Sequence, residues 1–126
     1  AHCNGGIWNA SQLAASLGVS YHTVNRYVDI LDHTFLIRKL PPYFANIGKR
    51  LVKSPKLYFR DTGLLHYFLG IRSESALDTH PARGMSWEGF IIDQLISIFQ
   101  QSEPGSQPYF WRTAQGHEMT SNTRAR

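Results

Sequence analysis

The sequence predicts a mainly α chain of the α+β class, with a winged helix-turn-helix domain at 1–70, a linker at 71–80 and a smaller α/β segment at 81–126. Three observations predict this. Two short runs with apolar residues at helical spacing meet at Gly18, as two helices joined by a tight turn require. Two strand-like runs, 35–40 and 56–60, follow at once with a loop between them, which makes the motif winged rather than bare. Beyond the polar stretch Arg72-Ser73-Glu74-Ser75 come a longer helical pattern and one more strand pattern.

Taken in order, Asn9 is the capping candidate of a helix over 10–17, where Leu13, Ala14 and Leu17 share a face and Gly18 ends the turn. Ser20 caps a second helix through about Asp32, with Val24, Tyr27, Val28 and Leu31 expected on its buried side. Phe35 to Leu40 reads as a strand that Pro41 and Pro42 stop, because proline has no N–H to donate into a ladder. Lys56 to Arg60 alternates and reads as the returning strand. Asp61 caps a third helix, Thr62 to Leu69, closed by Gly70. A longer helix fits about Met85 to Gln100, with Trp87, Phe90, Ile91, Leu95 and Ile98 expected to face inward. Tyr109 to Trp111 is a strand that Gln115-Gly116 can turn back into a hairpin, and Met119 to Arg126 is expected to fray.

Composition narrows the class. Of the 126 residues 42% are hydrophobic and 13% aromatic, enough for a core and too many for a disordered chain. No long apolar run predicts a membrane span, and the first residues lack the pattern of a secretory signal. The single Cys3 excludes an internal disulfide and a four-cysteine zinc site, so a cytoplasmic location is expected. The lack of an initiating Met points to a fragment or a processed chain. Charge is uneven: residues 1–60 carry eight Lys or Arg against two Asp, and 61–126 carry five against seven acids. Between Asp32 and Asp61 there is no acid, while Arg38, Lys39, Lys49, Arg50, Lys53, Lys56 and Arg60 fall there. Such a basic, aromatic-rich segment attracts polyanions, because each phosphate it neutralises releases condensed counterions.

The helix-turn-helix supplies candidate contacts. Ala14 is small where the two helices approach, Gly18 tolerates the positive φ of the turn, and Val19 and Val24 plug it. If the second helix enters a major groove, its outward residues are Ser20, Tyr21, His22, Asn25 and Arg26. Asn pairs with adenine, Arg with guanine, and Ser and Tyr reach phosphate. The wing, roughly Tyr43 to Pro55, offers Lys49, Arg50 and Lys53 to the DNA backbone, and Lys56 at the start of the returning strand joins this basic set. The alternative reading is that the same domain packs against another domain or subunit.

Catalytic signals are absent. Gly48-Lys49 resembles the end of a phosphate loop, but Tyr43 stands where that motif needs its first glycine and Arg50 where it needs Ser or Thr. The histidines His2, His22, His33, His66, His80 and His117 form no helical His-x-x-x-His pair, so no zinc site is expected. No glycine elbow places Ser11, Ser16 or Ser20 for attack, and Cys3 reads as incidental. Glu88 and Glu118 read as a solvated helix residue and a turn residue.

The runs from Phe35 to Phe44, Gly48 to Phe59, Asp61-Thr62-Gly63-Leu64, His80 to Gly84, Trp87-Glu88-Gly89-Phe90-Ile91 and Tyr109 to Arg112 resemble a known group. It is the C-terminal region of bacterial and archaeal AAA-like ATPases, and the resemblance covers about residues 7–118. It implies an ATPase module upstream, a winged helix, and a restriction-nuclease-like fold at the end, here as a truncated α/β remnant without the ATPase. Glu88 and Glu118 match acidic positions of that group. Thr120 stands where the group has Asp, and the final acid and lysine are missing, so no nuclease activity is expected. The expectation is a non-catalytic binding module with no cofactor and no metal. Its partners would be duplex DNA and the upstream ATPase module. The alternative is a protein-interaction or oligomerisation module, and a homodimer would arise if the strand at 109–111 is left unpaired.

Overall fold

A computed structural model describes residues 1–43, 54–112 and 118–123; of residue 112 and of 118–123 it describes the backbone alone. The fold is α+β, with elements in the order α1 Ala10–Leu17, α2 Tyr21–His33, β1 Ile37–Leu40, β2 Lys56–Phe59, α3 Thr62–Phe68, α4 Glu74–Asp78, α5 Arg83–Ser102, β3 Gln107–Arg112 and β4 Glu118–Thr123. The expected wing tip, with Lys49, Arg50 and Lys53, lies outside the described residues.

Local chemistry sets the helix ends. Asn9 accepts from Gln12 N at 3.0 Å, Ser20 Oγ from Thr23 N at 3.1 Å, and Asp61 from Leu64 N at 2.9 Å, each satisfying an orphan N–H of a first turn. Gly18 closes α1 at φ 66°, and Gly70 follows α3 at φ 73°, the left-handed conformation that glycine adopts without a Cβ penalty. Helix α2 ends the same way without a glycine. Leu36 N reaches Leu31 O at 3.0 Å and Phe35 N reaches Asp32 O at 3.0 Å, which forces Phe35 to φ 60°. That is why the expected strand start at Phe35 moves to Ile37: Phe35 and Leu36 finish the helix.

The hairpin β1–β2 carries the architecture. It pairs antiparallel with Ile37 opposite Phe59 and Leu40 opposite Lys56, and side chains alternate between its faces. Ile37 and Leu57 point to one face and join Trp8, Ala14, Val24 and Val28, the core of the helix-turn-helix. Leu40 and Tyr58 point to the other and join Ile92, Ile96 and Phe110. One hairpin is therefore shared by both halves of the chain, and the second core crosses the expected boundary between 1–70 and 81–126. The expected linker at 71–80 differs as well: Ser73 caps α4 there through Ala76 N at 3.1 Å.

Helix α5 docks on this second face through small residues. A Cβ at Gly89 would stand 3.2 Å from Tyr58 Cδ1, so glycine is what lets the helix reach β2. The inward residues are Ser86, Gly89, Ile92 and Ile96. The sequence expectation is corrected here, because Trp87, Phe90, Ile91, Leu95 and Ile98 are all exposed. Hydropathy selects the largest side chains, whereas close approach selects the smallest. A similar correction applies to α2, where Val24 and Val28 are buried but Tyr27 and Leu31 are exposed.

The second half closes with a ladder. Strand β3 runs beside Pro41–Tyr43, with Phe110 N donating to Pro41 O at 3.0 Å and Tyr43 N to Phe110 O at 2.7 Å. It pairs with β4 from Gln107 opposite Thr123 to Arg112 opposite Glu118. The strands pair as the expected hairpin requires, its turn at Gln115-Gly116 lying outside the described residues, and the expected fraying from Met119 is corrected as far as Thr123, through which the chain is paired. Nor is β3 the unpaired strand that the oligomer argument started from, since it has a neighbour on each side.

Candidate functional site

The start of α2 presents the residues expected to read DNA, and the structure separates them. Ser20 is exposed, but its hydroxyl is the helix cap and also shares a hydrogen bond with Thr23 Oγ1 at 2.9 Å. Tyr21 and His22 are exposed with ring centroids 3.9 Å apart, and Arg26 is exposed one turn later. Asn25 is turned inward: its Oδ1 accepts from Trp8 Nε1 at 2.8 Å, an anchor between α2 and the N-terminal segment. Its carboxamide is thereby held within the fold, contrary to a free base-reading role. On the same helix Asp29 pairs with Lys39, which holds the Asp29 carboxyl below its ordinary range. That pair removes one positive charge from the expected basic surface.

Lys56 is the clearest departure. It is 5% exposed, on the face of β2 that meets α5, so it is not available to a phosphate backbone. Its Nζ lies 3.4 Å from Glu88 Oε1 and 3.3 Å from Tyr58 OH, and 5.7 Å from the Phe110 ring centroid. Tyr58 OH donates to the same Glu88 oxygen at 2.8 Å. Strand alternation alone puts Lys56 and Tyr58 on one face, and α5 brings Glu88 to them. Glu88 is thus no free solvated glutamate. A lysine and an acid do meet, a combination that the sequence separates by 32 positions. Of Glu118, the backbone pairs with Arg112 in β4. Among the described residues no three of His, Cys, Asp or Glu stand together as a metal ion would need.

A second polar cluster centres on Asp93 of α5, a half-buried side chain. Its Oδ1 accepts from Arg38 at 2.7 Å and from Arg60 at 3.3 Å, so two cations of the acid-free segment are spent on the fold. Asn4 works similarly, accepting from Phe59 N at 2.8 Å and donating to Met85 O at 3.3 Å. Neither Asn4 nor Asp93 stands out in the sequence.

The exposed surface is more apolar than expected. On α5 Trp87 is 65% and Ile98 59% exposed, with Ile91, Leu95 and Phe99 between and beside them. On α2 and the turn after it, Tyr27, Ile30, Phe35 and Leu36 are open, with the Arg60 guanidinium 5.5 Å from the Phe35 ring centroid. Contiguous apolar surface of this kind marks places where another surface packs. No helix among the described residues is long and apolar enough to cross a membrane.

Comparison with known proteins finds two mycobacterial relatives. The chain is similar to the uncharacterized protein Rv2008c of Mycobacterium tuberculosis, 45% identical over 119 residues. It matches the uncharacterized protein Mb2031c of Mycobacterium bovis to the same extent. In both cases the match covers 94% of this chain and 26% of the relative, so the chain spans about a quarter of the length of the curated relatives it matches. No solved structure matches it. Residues 1–75 match a family described as a domain of unknown function, DUF8612, and with more than half its length inside that match the chain belongs to this family.

Proposed function

We propose that the chain is a non-catalytic docking module of a longer AAA-like ATPase, binding a protein surface through the outer face of α5. The observation that carries this is the apolar stripe Trp87, Ile91, Leu95 and Ile98, which is open to solvent along a 20-residue helix. The resemblance to the C-terminal region of such ATPases names the partner, the ATPase module of the same longer chain. The test is a titration of this chain against the separately produced segment of a mycobacterial relative that lies outside the match, about three quarters of that protein's length. Binding is expected, and the double change Leu95→Glu and Ile98→Glu should weaken it at least about tenfold while leaving stability within about 0.5 kcal/mol, as for exposed positions. A chain that binds neither the segment nor a second copy of itself by light scattering would sink the proposal.

A second reading, duplex DNA binding, is favoured by Tyr21, His22 and Arg26 on the open side of α2. Anisotropy of a labelled duplex at low and moderate salt tests it. Arg26→Ala should weaken a preferred sequence, and Lys53→Ala should weaken all sequences and lower the salt slope by about one. No binding at low salt leaves the protein-docking reading alone.

A further inference from the structure

The cavity between α3, α4 and α5 takes no part in either core. It has a volume of about 630 Å³. At its base His66 Nε2 and Ser86 Oγ share a hydrogen bond of 2.7 Å that ties α3 to α5. Leu77 of α4 and Trp87 and Phe90 of α5 line it, the two rings stacked with centroids 5.8 Å apart at 28°. Of charged residues, Glu74, Asp78 and Arg83 line it as well. Asp78 is engaged by Arg83 at 3.5 Å, whereas the Glu74 carboxylate has no ion-pair partner among the described residues.

We propose that this cavity seats a lysine or arginine side chain of the docked protein, its alkyl stem against Leu77, Trp87 and Phe90 and its cationic head at Glu74. The inference rests on the protein-docking reading and deepens it. Three features of the lining select that chemistry. Stacked aromatic faces carry negative quadrupole charge and attract cations, best over tryptophan. The long stem of a basic side chain buries readily against apolar walls while its head stays near water. One uncompensated carboxylate disfavours an anion and rewards a cation. Glu74 also sits in the first turn of α4, where a carboxylate suits the helix dipole. A role confined to that would leave ligand preference untouched.

The experiment uses the whole chain, labelled with nitrogen-15, and two small probes of nearly equal shape: n-butylguanidinium and the uncharged n-butylurea. The indole N–H signals of Trp8, Trp87 and Trp111 are the readout, with Trp87→Phe identifying the one at the cavity. At matched chloride the Trp87 signal should shift with the cation, and the urea should bind about tenfold more weakly. Glu74→Gln should reduce that preference about threefold, leaving the part the rings supply, while the Trp8 signal, reporting the helix-turn-helix core, stays in place. Equal binding of both probes to the unaltered chain would make this an apolar cavity only and overturn the proposal. So would a cation preference that Glu74→Gln leaves unchanged, or a Trp87 signal that moves with neither probe. Both probes are read without any protein partner, so this result and that of the Leu95→Glu and Ile98→Glu test can fail separately.

Discussion

Phe110→Ala should lower stability by about 3–5 kcal/mol, the range for deleting a fully buried aromatic ring, and the chain should still unfold in a single transition. Phe110 is 2% exposed and packs with Leu40 and Tyr58 of the hairpin and with Ile92 and Ile96 of α5. The ring therefore joins sequence segments that lie on both sides of residues 71–80. If those segments were independent domains, its loss would melt the second alone and leave the helix-turn-helix folded. Because Tyr58 and Leu57 are neighbours on one strand, facing the second and first cores, loss of one core should be felt by the other. Denaturant unfolding followed by far-ultraviolet circular dichroism and by the Trp8 signal checks this. Coincident curves are expected, and two separate midpoints would show that the halves fold alone.

Glu88→Leu should cost about 2–3 kcal/mol, because it removes the shared acceptor of Tyr58 OH and the Lys56 ammonium. Lys56 is buried, so its charge loses a compensating partner that water cannot fully replace. The Glu88 side chain is 42% exposed, which keeps the expected cost below that of a wholly buried pair. Glu88→Gln should cost less, since an amide oxygen still accepts from the tyrosine. A double-mutant cycle with Lys56→Met isolates the pair and should return a coupling of about 1–2 kcal/mol. Additive effects would show that Lys56 and Glu88 are neighbours without being partners. The same cycle decides whether Lys56 serves the fold, as its burial argues, or a polyanion, as the charge count alone had suggested.

How much of this was legible in the sequence differs by element. Helix α1 was readable to the residue, since Asn9 and Gly18 are strong local signals that owe nothing to the rest of the chain. The hairpin strands and α3 were readable from alternation, Pro41-Pro42 and the Asp61 cap. The face of α5 was not. Its outward side chains are larger and more apolar than its inward ones, and only the approach of Tyr58 to Gly89 shows which face turns in. Lys56, Asn25 and Asp93 were misread or missed for a related reason. Whether a polar side chain meets solvent or a partner far along the chain is set by which strand or helix packs on it.

The sequence by itself determined the α+β class, the N-caps of the first helices and the return of a strand at 56–60 beside one ending at Leu40, because turn residues, caps and alternation act over a few positions. Only the tertiary structure decided that one hairpin serves two cores, and that Asn25 and Lys56 face inward while Trp87 and Ile98 face out. Those outcomes depend on contacts between residues tens of positions apart, where packing volume and burial of charge outweigh any local preference.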